Sequence, residues 1–145
     1  NPKPNMLFVG DGEMKNELQD MAPDAVFAGF VNQSELPAYY DMSDVFVLPS
    51  EREPWGLAVN EAMACGTPVV VSDEVGSAPD LVDGKSGIVF PSGDTQALSE
   101  AIAKCLANSS QMGIYAAEKI TRWGYDADIT GLNKALSAMV ANHEH

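Results

Sequence analysis

Cations are scarce in this sequence: 8 Lys and Arg stand against 21 Asp and Glu among 145 residues, giving a net charge of -13. Nonspecific nucleic-acid binding and adhesion to an anionic membrane both need surplus cations to displace counterions, so neither is expected. Cysteine is equally sparse. Cys65 and Cys105 are the only two, too few for a disulfide scaffold and too far apart for a metal knuckle or a paired redox motif, which makes a reduced, cytoplasmic chain the expectation. No apolar run approaches the ~20 residues that span a bilayer. The opening Asn1-Pro2-Lys3-Pro4-Asn5 lacks the apolar stretch of a signal peptide. The chain starts without Met and enters a strand-like run almost at once, which reads as a piece of a longer polypeptide. Histidine occurs twice, as His143 and His145 in a polar tail without liganding neighbours, so no metal site is expected there.

What remains is globular material. Apolar residues make up 46 % and charged residues 20 %, enough for a core in one domain spanning 1–145, since domains of ~100 to 150 residues are the commonest size. Apolar, β-branched-rich runs begin at Met6, Val26, Val45, Val69 and Ile88, spaced about 20 residues apart in a βα rhythm. None alternates apolar with polar, which predicts parallel strands covered on both faces. Helices are predicted between them. Met14, Leu18 and Met21 share a face, and Ser34 precedes a first turn that tolerates Pro37. Leu57 to Cys65 stops at Gly66 and Pro68. Asp94 caps a helix striped by Leu98, Ala101, Ile102, Cys105 and Leu106, and two further helices follow, from about Ser110 to Trp123 and from about Asp126 to Val140. The expected fold is therefore α/β: a Rossmann-like, doubly wound parallel sheet with C-terminal helices.

Ligands of such sheets bind at the carboxyl ends of the strands. The first end, Val9-Gly10-Asp11-Gly12, is a weak dinucleotide signal because Lys15 stands where the third glycine belongs; a tight strand-to-helix turn is the better reading. No phosphate-loop or nucleophile-elbow motif occurs. A receiver-type aspartate is also missing, because Ser50 and Ser72 occupy the central strand ends.

The third end differs. The run Pro49-Ser50-Glu51-Arg52-Glu53-Pro54-Trp55-Gly56-Leu57-Ala58-Val59-Asn60-Glu61-Ala62 puts Glu53 in a loop and Glu61 in the helix beyond it. With Gly56 opening that helix, the backbone N–H groups of Trp55, Gly56 and Leu57 form an anion site that needs no basic side chain. Glu61, a turn or two further in, suits vicinal hydroxyls such as those of a ribose. Glu53 suits hydroxyls on the far side of the same phosphate. Taken singly, Glu51, Arg52, Glu53 and Glu61 read equally well as a solvated charged face. The order Glu, Gly, Glu inside an otherwise apolar strand-loop-helix unit favours a site.

This stretch resembles the E-x(7)-E signature of the retaining glycosyltransferases of the large family 4, which have the GT-B fold, with Glu53 and Glu61 as the two glutamates. Four further collinear blocks carry the resemblance: V-G-D-G-E, F-A-G-F-V-N-Q-S-E-L-P-A-Y-Y, E-A-M-A-C-G-T-P-V-V-V-S-D-E-V-G and D-L-V-D-G-K-S-G-I-V-F. The resemblance implies the nucleotide-sugar-binding, C-terminal half of a two-domain enzyme. Such an enzyme transfers a sugar from a UDP-, GDP- or ADP-linked donor to a glycan, lipid or small-molecule acceptor, with retention and without a required metal or cofactor. It assigns Glu61 to the ribose, the amides of Trp55, Gly56 and Leu57 to the diphosphate and sugar, Phe30 and Val31 to the base, and Glu53 to the sugar hydroxyls beside the reacting centre.

The chain departs from that pattern in lacking the family's first strand, with its glycine-rich turn, Arg and following Lys, and the acceptor-binding domain. Without them the chain alone is expected not to turn over. Ser77 and Asp80 stand where glycine and glutamate are usual, in the helix predicted after the fourth strand. A nucleotide-sugar epimerase of similar fold and a non-catalytic nucleotide-sugar-binding module are the alternatives, and peripheral attachment at the inner membrane face stays open for the longer enzyme.

Overall fold

The computed structural model describes residues 4–124 and 129–134, and the chain divides into two compact units, Asn1–Tyr39 and Tyr40–His145. All five expected strands form, each within a residue or two of its apolar run.

In the first unit β1 (Leu7–Val9), α1 (Lys15–Met21) and β2 (Val26–Gly29) make one βαβ turn. The two strands are parallel, with Leu7 opposite Val26 and Phe8 opposite Phe27, and the facing rings of Phe8 and Phe27 stack with centroids 4.8 Å apart. The Gly10 N–H donates to the Gly29 carbonyl and the Lys15 N–H to that of Gly12, so the Val9-Gly10-Asp11-Gly12 segment is the tight turn expected of it. The apolar face of α1 is not buried. Met14 and Met21 are exposed and the helix has no buried residue, because two strands offer too little surface to cover a helical stripe. The unit boundary falls within α2 (Leu36–Asp41), which has Pro37 in its first turn.

The second unit holds β3 (Phe46–Leu48), α3 (Leu57–Ala64), β4 (Val69–Ser72), α4 (Ala78–Leu81), β5 (Gly87–Phe90), α5 (Thr95–Leu106) and α6 (Ser109–Ile120). Its sheet is parallel in the order β3-β4-β5, with Phe46 opposite Val69 and Val69 opposite Gly87. Among the described residues the strands of each unit are hydrogen-bonded in parallel, two in the first and three in the second, as expected of an α/β, Rossmann-like chain.

The central strand explains the missing alternation. Val69, Val70, Val71 and Ser72 are all buried, and the two faces of β4 feed two cores. Val70 joins Phe90, Ala101, Cys105 and Met112 beneath α5 and α6, while α3 packs on β3 and β4 with Val59, Ala62 and Met63 fully inside. Burial pushes the Cys105 thiol up to about 11, as expected of a residue used as a small hydrophobe.

The stop of α3 and the start of α5 follow the predicted signals, while α2 begins at Leu36, two residues after Ser34, with the Leu36 N–H on the Asn32 carbonyl. Gly66 adopts the left-handed φ of 77°, its N–H reaches the Met63 carbonyl and that of Thr67 reaches Ala62, a Schellman stop that turns the chain straight into β4. Asp94 caps α5 through a 2.9 Å bond from the Ala97 N–H. Asp80 lies in the first turn of α4, the helix predicted after the fourth strand, and Ser77 stands at its N-cap, where the buried Ser77 hydroxyl finds no partner among the described residues. Helix α6 ends at Ile120, with Arg122 and Trp123 in a following turn. Residues 129–134 are helical within the last predicted helix; the rest of that helix, and His143 and His145, lie outside the described residues.

One surface ion pair ties the turn before β5 to α6. Asp83 accepts from the Lys119 ammonium at 3.1 Å and from the Lys85 and Ser86 N–H groups at 3.1 and 3.2 Å. Burial alone would raise its pKa; the Lys119 hydrogen bond, the two amides and the Lys119 charge outweigh it and hold the carboxyl at about 2 instead of 3.8. A folded-state pKa below the unfolded one gives stability that is complete above the unfolded value and disappears as pH falls through the folded one. Asp83→Asn is therefore expected to be less stable than the parent at neutral pH, with the gap closing between pH of about 4 and about 2. Urea midpoints across that range read it, and a gap independent of pH would refute the assignment.

Candidate functional site

The carboxyl end of β3 leads into a loop that the segment after β4 grips from the side. The Glu53 N–H donates to the Glu74 carbonyl at 3.1 Å, the Gly76 N–H to the Glu53 carbonyl at 2.8 Å, and the Ser77 N–H to the Trp55 carbonyl at 3.0 Å. Glu53 and Val75 thereby form an isolated parallel bridge, and the Ser72 hydroxyl hydrogen-bonds to the Ser50 carbonyl. A loop with this many backbone anchors holds its shape without a ligand.

Two glycines permit the grip. Gly76 lies so close that a Cβ there would overlap the Pro54 carbonyl. Gly56, at φ 87°, takes the left-handed conformation immediately before α3, where a Cβ would come within 3.0 Å of Val75 and 3.2 Å of Leu48.

The three amides expected to stand free at the start of α3 do not all do so, and this corrects the sequence-based picture. The Glu53 carboxylate curls back onto them, accepting from Gly56 N–H at 3.1 Å and from Trp55 N–H at 3.4 Å. Glu53 and two of the amides are one closed turn rather than two separate binding elements, because a loop carboxylate three residues ahead of a helix start is the nearest anion available. The Leu57 N–H has no acceptor among the described residues, and its side chain is exposed.

Trp55 is anchored through its indole, whose Nε1–H donates to Asn60 Oδ1 at 3.0 Å. Its ring lies tilted against Trp123 with centroids 6.0 Å apart. The indole thus secures the loop. The Trp123 contact has no signal in the sequence, since no periodicity links the turn after α6 to this loop.

Glu61 sits four residues beyond Leu57, on the same face of α3 and about 6 Å along its axis. The Cα–Cβ bonds of a helix tilt toward its N-terminus, the end at which the loop amides lie. Glu61 is half-buried, and one oxygen accepts from the Tyr40 hydroxyl at 2.9 Å. One turn on, burial and then the charges of Asp41 and Glu61 push the Cys65 thiol upward. Phe30 and Val31 belong to the first unit, just past β2, where Phe30 is 77 % exposed and Val31 half-buried. Among the described residues no His, Cys, Asp and Glu cluster could hold a metal ion, and no helix is long and apolar enough to cross a membrane.

Known proteins resemble this chain in sequence and in fold. It is 41 % identical over 101 residues to the sulfoquinovosyl transferase SQD2 of Arabidopsis thaliana, covering 66 % of this chain and 20 % of that protein. It is 34 % identical over 129 residues to a GDP-mannose-dependent alpha-(1-6)-phosphatidylinositol monomannoside mannosyltransferase of Mycolicibacterium smegmatis, covering 78 % and 34 %. The sucrose-phosphate synthase of Thermosynechococcus elongatus superposes with a TM-score of 0.79 at 26 % identity, over 97 % of this chain and 40 % of that one. The chain therefore spans about a third or less of these two curated relatives. The model of the family described as glycosyl transferases group 1 matches residues 1–127, and the chain belongs to that family.

Proposed function

We propose that this chain is the donor-binding part of a retaining glycosyltransferase that takes a sugar from a nucleotide diphosphate sugar. The observation that carries the reading is the half-buried Glu61 carboxylate, one turn past the start of α3, with one oxygen held by Tyr40. Vicinal ribose hydroxyls suit the oxygen that remains, and the diphosphate suits the amides one turn above. The GDP-mannose named for the mycobacterial relative supports a nucleotide-linked hexose as donor.

The closed turn at Glu53 gives the proposal a mechanism. On donor binding the Glu53 carboxylate exchanges the Trp55 and Gly56 amides for hydroxyls of the sugar, and those amides, held in place by the loop, donate to the diphosphate beside that of Leu57. An oxocarbenium-like transition state places growing negative charge on the diphosphate, so amides fixed in advance by the loop stabilise it more than the ground state. Fixed amides also take the electrostatic part that a metal would otherwise supply, which supports a metal-independent reaction.

Calorimetric titration of the chain with UDP-glucose, GDP-mannose and ADP-glucose, with and without EDTA, tests the reading. Binding of one donor, unchanged by the chelator, is expected. Indifference to all three would overturn it. Retention is tested separately, by the anomeric configuration of the product formed by the whole protein.

A further inference from the structure

We infer that Tyr40 is a positioning residue for the nucleotide: by holding Glu61 Oε2 it turns Oε1 toward the ribose and makes the site select ribose over 2′-deoxyribose. The inference rests on the reading of Glu61 as the ribose acceptor and goes beyond it, to a second residue and a specificity.

Tyr40 is built to hold a direction. It is 8 % exposed, its ring meets Phe46 edge-on with centroids 5.5 Å apart, and its carbonyl accepts from the buried Thr67 hydroxyl at 2.7 Å and from the Ser43 N–H at 3.0 Å. The ring contact comes from β3, while the two bonds on the carbonyl, from the stop of α3 and the turn after α2, fix the backbone from which the phenol extends. A Glu side chain on an exposed helix face samples many rotamers; a donor at 2.9 Å on one oxygen removes most of that freedom before the ligand arrives. Desolvation, then the Glu61 hydrogen bond and charge, hold the phenol well above its ordinary pKa, so it remains a donor throughout the working pH range.

The carboxylate then has one oxygen left for the ligand. Two vicinal hydroxyls share it well, whereas a 2′-deoxyribose leaves part of its hydrogen-bonding capacity unmet in a half-buried site.

The test measures GDP, UDP and ADP against their 2′-deoxy counterparts by calorimetry, in the full chain and in Tyr40→Phe, with circular dichroism to verify folding. For the best-bound base, the parent is expected to prefer the ribonucleotide by about tenfold, and Tyr40→Phe to lose most of that preference while binding the deoxy form almost as before. A purely structural role would lower thermal stability and leave the ratio untouched, which would overturn the inference. If Tyr40→Phe does not fold, Tyr40→Met removes the same hydroxyl with a flexible apolar side chain that adapts to the site, and an unchanged ratio there has the same force. Should Glu61→Ala abolish the preference while Tyr40→Phe keeps it, the inference alone fails. Should the parent bind ribo and deoxy forms alike, the ribose reading of Glu61 fails and takes the inference with it.

Discussion

Glu61→Ala is expected to weaken binding of the preferred nucleotide sugar by about ten- to a hundredfold, because hydrogen bonds to a charged acceptor are worth roughly 1.5–3 kcal/mol each. Two effects are mixed in that number. Removing the carboxylate deletes the acceptor proposed for the ribose and also strips the half-buried Tyr40 hydroxyl of its partner, which costs stability of its own, about 1–3 kcal/mol. Glu61→Gln separates them. Its amide oxygen still accepts from Tyr40, so the melting temperature should stay near that of the parent while nucleotide affinity falls through loss of charge. Calorimetry on both variants reads the affinities and a thermal melt reads the fold. Parent-like affinity in Glu61→Ala would remove Glu61 from the donor site.

Gly76→Ala is the second large effect, and it acts on the fold of the site. A methyl group at Gly76 would overlap the carbonyl oxygen of Pro54 and come within 3.3 Å of that of Glu53. Both obstacles are backbone atoms that no rotamer change can move. Relief requires the Glu53 to Trp55 loop to shift away from the segment after β4, breaking the 2.8 Å bond from Gly76 to Glu53 and the 3.0 Å bond from Ser77 to Trp55. A loss of about 2–4 kcal/mol is expected, in the range of overpacking combined with broken buried hydrogen bonds. Donor affinity should fall with it because the loop amides lose their preset geometry. Gly93→Ala is the control. Gly93 has a φ of 80° but open space where a methyl group would stand, so the substitution should cost only the left-handed strain, about 1–2 kcal/mol, and leave donor affinity alone. Equal urea midpoints for the two variants would show that the close approach at Gly76 is unimportant.

The strands were legible because their apolar runs are bounded by turn residues, and β4 announces its central place by three consecutive valines buried on both faces. The same logic could not reveal the order β3-β4-β5, since strand order depends on hydrogen bonds between segments distant in sequence. The geometry of the candidate site was legible in outline for a local reason: Glu53, Gly56 and Glu61 lie within one strand-loop-helix unit, where a helical offset of four residues already fixes the face of Glu61 relative to Leu57. Tyr40 and the Glu74 to Ser77 clamp were invisible. They reach the site across about twenty residues of chain, and nothing in their local pattern marks a polar contact.

Sequence alone determined the chemical vocabulary of this protein: an acidic chain with a glycine opening a helix after a strand, two glutamates spaced across that loop and helix, and parallel strands to carry them. Only the tertiary structure decided how those groups are engaged. It turned Glu53 onto the amides that the sequence left free, and it gave Glu61 a fixed partner in Tyr40. The reason is physical. Helix starts, turns and strand faces follow from neighbours along the chain, whereas the partner of a carboxylate is whichever donor the packing of distant elements brings within hydrogen-bonding range.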